Sequence, residues 1–192
     1  MQATPLSPPA SRRWLTRANA LSALRLAAAP GLALAIASGH RLAAAALLVL
    51  AIATDLADGA VARRYGEASA LGGLVDHATD ATLVVLGLGA LAWRGEAPPL
   101  LAPLVAVAFV QYVLDSRTLA GRPLRASRLG RWNGIAYYVA VAVPVFRDAL
   151  GLSWPGAAWM WPAGWALVGS TLVSMLDRLA ALRRSGTPRP PG

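Results

Sequence analysis

The chain has 192 residues, 56% of them hydrophobic and only 14% charged, with a formal net charge of +9. So low a charged fraction excludes an ordinary soluble domain, in which about a quarter of residues carry charge, and points to a single integral membrane domain. The absence of cysteine removes disulfides, thiol nucleophiles and cysteine–metal sites from consideration.

Residues 1–11 are rich in Pro, Ser and Ala, and little order is expected of them. Ser11 to Asn19 carries Arg12, Arg13, Trp14 and Arg17. This composition suits a short interfacial helix or the charged flank of a first span equally. No cleavable leader is expected, because the first apolar run continues into a repeated membrane pattern.

Six apolar runs follow, at about 20–38, 42–63, 71–93, 99–119, 132–147 and 157–180, each near the ~20 residues a bilayer requires. They are long, rich in Ala and Leu and without two-residue alternation, which predicts helices rather than strands. Gly39-His40 predicts a tight turn, Pro98-Pro99 opens the fourth run, and Pro155 lies just before the sixth. The fifth run is short and contains Pro144. The expected architecture is an all-α membrane domain of six transmembrane helices over 20–182, after a cytoplasmic or interfacial segment 1–19 and before a tail 183–192.

Every basic residue is arginine, and the arginines predict orientation. One side collects fourteen of them: the N-terminal three, Arg63 and Arg64, five between Arg117 and Arg131, and four from Arg178 onward. The other side has Arg41, Arg94 and Arg147, while Arg25 lies within a span. The asymmetry predicts both termini, and the connection between the second and third runs, in the cytoplasm. Positive charge of this origin reflects membrane topology, and no nucleic-acid partner is expected. Trp132, Trp154, Trp159, Trp161 and Trp165 lie near the ends of the last two spans, as an interfacial aromatic belt would.

Five of the nine acidic residues sit between positions 55 and 80, four of them aspartates inside otherwise apolar sequence. Asp55 and Asp58 are three apart, Asp76 and Asp80 four apart, so each pair occupies one face of a helix. Two helices joined by a short turn can point all four carboxylates at each other. Such a cluster repels itself unless cations relieve it, and all-carboxylate ligands suit hard ions such as Mg²⁺ or Mn²⁺. The bland alternative is that the aspartates merely pair with Arg25, Arg63 and Arg64. Pairing alone, however, demands no fixed spacing. A cation transporter or channel is a second alternative, but it predicts acidic residues spread over several helices and depths. Here the four aspartates are confined to one helix pair beside Arg63.

The same stretch reads Asp55-x2-Asp58-Gly59-x2-Ala62-Arg63-x8-Gly72-x3-Asp76-x3-Asp80. It resembles, at every fixed position, the signature of the CDP-alcohol phosphotransferases. Asn19, Arg25 and Pro30 are similar to that family's first-helix pattern. The resemblance implies transfer of a phosphatidyl group from CDP-diacylglycerol to an alcohol with release of CMP, on the cytoplasmic side of the inner membrane, by a homodimer. It implies that Asp55, Asp58, Asp76 and Asp80 hold two divalent ions and that Asp80 is the base for the acceptor hydroxyl. It also implies a donor site containing Asn19, with Ser69 a candidate by position.

Two donor-site candidates have their own physical reasons. A glycine at position 59 lets a nucleotide approach the helix backbone closely, and the planar fork of Arg63 suits a diphosphate. His77 turns ~100° away from the Asp76 face, which predicts packing rather than ligation. For the acceptor, five arginines from Arg117 to Arg131 suit a phosphate-bearing alcohol. The segment from Ser127 through Arg131, Asn133 and Gly134 loosely resembles the basic opening of the fifth helix in phosphatidylglycerophosphate and cardiolipin synthases, although arginines replace lysines and a glycine replaces a threonine. Arg117, Arg131 and Asn133 are therefore the acceptor candidates. Glycerol 3-phosphate is the first choice, with a cardiolipin synthase-like or other alcohol acceptor as the alternative.

Overall fold

The computed structural model describes residues 17–65, 70–118 and 128–185, which form helices, with turns described at 38–40, 94–100 and 150–156. The six apolar runs each form one helix: α1 (Arg17–Ala37), α2 (Arg41–Tyr65), α3 (Ala70–Trp93), α4 (Leu101–Thr118), α5 (Arg128–Ala149) and α6 (Ala157–Ser185). The helices outrun the apolar residues where arginines flank them. α5 starts at Arg128 and α6 runs on to Ser185, because the backbone ladder of a helix continues whether or not its side chains are apolar. Pro98 and Pro99 fall in the turn before α4 rather than inside it.

The ends of α1 and α3 close in the same way. Gly39 and Gly95 both adopt φ +74°, a conformation that costs glycine nothing. The His40 N–H then reaches Ala35 O at 2.9 Å, and the Glu96 N–H reaches Leu91 O at 2.8 Å. Both turns thereby satisfy carbonyls that a helix end leaves open.

Packing places α3 at the centre. It contacts α1, α4 and α5, while α2 packs on α1 and α5, and α6 on α4 and α5. The core comes from Leu32 and Ile36 of α1, Leu48 of α2, Leu83 and Leu88 of α3, and Val141 of α5. The outer surface is equally apolar: Leu34, Leu42, Leu56 and Trp93 are 69–83% exposed. An exterior of that kind is unfavourable in water and fits a lipid-facing surface. Two stretches are long and apolar enough to cross a membrane by themselves, Ala20–Ala37 of α1 and Gly72–Trp93 of α3, with mean hydropathies of 1.7 and 1.4. Leu101–Leu114 of α4 is a shorter apolar stretch.

At the end of the bundle where α1, α3 and α5 terminate, four charges form a closed network. Arg94 bridges Glu96 (2.7 Å) and Asp148 (2.9 Å), and Arg147 bridges the same two carboxylates. Arg147 also donates to Pro155 O at 3.1 Å, and Trp161 Nε1 donates to Gly95 O at 2.8 Å, tying α6 to this end. Charges balance two against two, and the side chains are only 11–28% exposed. Arg147→Met leaves both carboxylates to Arg94 alone. The expected cost is roughly 2 kcal/mol, between the ~0–1 of a surface pair and the ~3–5 of a broken buried one. Thermal unfolding in detergent measures it. An unchanged Tm would show that the network contributes nothing.

Candidate active site

α1, α2 and α3 build the site together. Asp55 and Asp58 lie in the last part of α2, Asp76 and Asp80 in the first part of α3, and α1 packs along both helices. From the middle of α1, Arg25 enters the gap with its side chain 0% exposed. Its Nη1 lies 3.1 Å from Asp55 Oδ1, 2.9 Å from Asp76 Oδ1 and 2.6 Å from Asp80 Oδ1. Nη2 contacts Asp58 Oδ2, which also accepts a hydrogen bond from Ser22 Oγ at 3.4 Å.

The four aspartates thus converge as their spacing predicts, and they also pair with an arginine. Pairing and ligation are compatible on charge grounds. One guanidinium among four carboxylates leaves three negative charges uncompensated. One oxygen from each of Asp55, Asp76 and Asp80 lies within 4.8 Å of the others, and such a set of hard oxygen donors fits a divalent cation. Asp58 sits to one side of this trio and is the most buried of the four, at 8% side-chain exposure against 27–40%.

Asp80 faces two ways. Its Oδ1 accepts hydrogen bonds from Arg25 Nη1 and, at 2.8 Å, from Tyr138 Oη of α5. It also lines an open cavity of about 560 Å³ bordered by α3, α4, α5 and α6. Arg131, Asn133, Ser174 and Arg178 supply polar groups to this cavity. Asn133 is buried and accepts from Ser170 Oγ at 2.6 Å. The Arg178 guanidinium lies 5.2 Å from the centre of the Tyr112 ring, which stacks on His77 at 6.0 Å. His77 in turn donates from Nδ1 to Gly73 O at 2.8 Å, so that nitrogen is taken up within its own helix.

Other residues singled out from sequence divide into two groups. Arg131 and Asn133 reach the cavity beside Asp80. Gly59 belongs to α2, and Asn19, Arg63 and Arg117 to α1, α2 and α4, but their surroundings, like the whole of Ser69, lie outside the described residues. Sequence reasoning missed Tyr138, Ser174 and the inward position of Arg178, which it had counted as a topological flank. A polar residue inside or at the end of an apolar run was the available signal. It was weak, because helix rotation decides which way such a residue points.

The family model for CDP-alcohol phosphatidyltransferases matches residues 15–176. A CDP-diacylglycerol–glycerol-3-phosphate 3-phosphatidyltransferase of Cereibacter sphaeroides is 31% identical over 154 residues, covering 73% of this chain and 70% of that protein. A probable phosphatidylglycerophosphate synthase of Mycobacterium tuberculosis is 39% identical over 150 residues, covering 72% and 68%. A CMP-forming cardiolipin synthase of Streptomyces coelicolor is 33% identical over 167 residues, covering 82% and 76%. No solved structure matches the chain. The matched span runs from the start of α1 into α6 and takes in all four aspartates, Arg25 and the cavity lining except Arg178. An apolar helical bundle with this carboxylate centre is therefore a membrane enzyme of phospholipid biosynthesis: the chain belongs to the CDP-alcohol phosphatidyltransferase family.

Proposed function

We propose that the chain transfers the phosphatidyl group of CDP-diacylglycerol to glycerol 3-phosphate and releases CMP. One observation carries the choice of acceptor: Asp80 stands in the wall of a cavity that also holds Arg131 and Arg178. A small polyol phosphate needs both features, a base at its hydroxyl and guanidinium forks at its phosphate. The relatives named for glycerol-3-phosphate and phosphatidylglycerophosphate chemistry support the same acceptor.

In this reading Asp80 takes the proton of the acceptor hydroxyl. The hydroxyl oxygen then attacks the lipid-bearing phosphorus of the donor. The anhydride bond to the other phosphorus breaks, and the electron pair leaves with CMP. Tyr138 holds Oδ1 of Asp80, and Arg131, Asn133 and Arg178 orient the acceptor. Arg117 stays an acceptor candidate by position, as do Asn19, Gly59, Arg63 and Ser69 for the donor. Asp55, Asp58, Asp76 and Asp80 would hold two Mg²⁺ or Mn²⁺ ions. When bound, these neutralise charge on the diphosphate and the leaving CMP.

The arginine asymmetry supports six spans over residues 20–182, with cytoplasmic termini and an inner-membrane site open to the cytoplasm. Topology reporters fused at the C-terminus and near Gly95 should give opposite signals, and same-side signals would sink this arrangement. A homodimer is proposed on family resemblance and is checked by crosslinking in native membranes.

Purified protein, CDP-diacylglycerol, Mg²⁺ and a panel of acceptors test the function. Phosphatidylglycerophosphate as the product supports glycerol 3-phosphate. Cardiolipin formed from phosphatidylglycerol would instead favour the second reading, which the Streptomyces coelicolor relative motivates. No CMP release with any acceptor would refute both.

A further inference from the structure

We propose that Arg25 is the resident cation of the carboxylate site. It holds the site together without metal and withdraws when divalent ions enter. The inference rests on the metal reading above and concerns this chain's own arginine.

Three observations carry it. First, Nη1 of Arg25 sits at the point where Asp55, Asp76 and Asp80 converge, 2.6–3.1 Å from one oxygen of each. These are the residues whose oxygens gather closely enough to ligate one ion. Metal–oxygen distances of about 2.0–2.2 Å would draw the same oxygens inward, so a nitrogen and an ion cannot share that point. Second, the side chain is 0% exposed, yet Nε has no hydrogen-bond partner. An unsatisfied buried donor carries a desolvation cost that a shift of the guanidinium would relieve. Third, one positive charge is a poor match for four carboxylates. A divalent ion at the same point supplies twice the charge, so exchange is electrostatically downhill once the ion has shed its water.

The role separates cleanly from that of a purely structural arginine. A structural ion-pair partner, when removed, lowers stability and metal affinity together, because the site falls apart. A competing cation, when removed, lowers metal-free stability but raises metal affinity, because the ion no longer displaces anything. The two quantities therefore move in opposite directions if Arg25 competes with the ion, and together if it only braces the site.

The experiment measures Mn²⁺ binding to the full chain in detergent by electron paramagnetic resonance, and thermal stability with and without Mn²⁺. Arg25→Met should bind Mn²⁺ about tenfold more tightly or better, because a neighbouring positive charge is lost. Its metal-free Tm should fall, and Mn²⁺ should restore it. Arg25→Lys keeps the charge, and its Mn²⁺ affinity should stay within about threefold of wild type, the ammonium competing as a point charge. Unchanged or weaker Mn²⁺ binding by Arg25→Met would overturn the inference while leaving the metal site standing. Wild-type protein that binds no Mn²⁺ would overturn the metal reading itself. Structures of the wild type with and without Mn²⁺ test the withdrawal itself, and decide alone if Arg25→Met does not fold. A guanidinium still bonded to both Asp76 and Asp80 beside bound metal refutes the exchange, and one drawn away from them supports it.

Discussion

Asp76→Asn is expected to reduce turnover by more than about a hundredfold while leaving the bundle assembled. Residues that merely support metal ligands typically cost ~10–100-fold when changed, and Asp76 offers its oxygen directly to the convergent set. An asparagine there keeps the shape but removes the charge that a hard cation requires. Stability behaves differently. Breaking a buried ion pair usually costs ~3–5 kcal/mol because it strands a charge. Arg25 is not stranded here, since Asp55, Asp58 and Asp80 remain in contact with it. Removing one of four mutually repelling carboxylates offsets part of the lost attraction. Turnover at limiting and saturating Mg²⁺, beside a melting curve, checks both halves. Near-normal activity at limiting Mg²⁺ would remove Asp76 from the ligand set. A large loss of Tm would mean that Asp76 holds the fold rather than the ion.

The parts of this molecule that sequence made legible are those set by local periodicity. Six apolar runs became six helices with nearly the expected limits, because length and hydropathy are properties of contiguous residues. Each aspartate pair shares one face of its helix for the same reason, since spacings of three and four fix a helix face whatever the tertiary contacts. What stayed hidden depends on how the helices are rotated and which of them meet. Arg25 was legible as a pairing partner for the aspartates, but that it reaches all four, 30 to 55 residues away, depends on how α1 lies against α2 and α3. The Arg94–Glu96–Arg147–Asp148 network joins the ends of α3 and α5, which are far apart in the chain. Arg178 counted toward orientation on sequence grounds, yet it also lines the cavity beside Asp80. One residue can serve both purposes at a helix end, where the membrane boundary and the mouth of the site coincide.

The surroundings of Asp80 and Asp58 differ enough to separate their roles. Asp80 contacts Tyr138 and opens on the cavity assigned to the acceptor. Asp58 is buried on the α1 side, held by Ser22 and Arg25. If Asp80 acts chiefly as the base, Asp80→Asn should lower kcat by about 10²–10⁴-fold, the usual contribution of general-base catalysis. Donor binding should be nearly intact, because the asparagine oxygen can still accept from Tyr138 and Arg25 and the remaining carboxylates still hold metal. Asp58→Asn should weaken turnover and donor binding together, since the diphosphate is held through the ions this carboxylate helps to bind. Calorimetric titration of the metal-loaded variants with CDP-diacylglycerol, beside the turnover assay, distinguishes the two. An equal loss of donor affinity in both variants would show Asp80 to be a ligand first. The proton of the acceptor hydroxyl would then have to leave by relay, and among the described residues of the cavity Tyr138 can take it while passing its own proton to Asp80, to which it already donates. Tyr138→Phe would then reproduce most of the Asp80→Asn defect in turnover. With Asp80 as the base, the same substitution removes only an orienting hydrogen bond and should cost about tenfold or less.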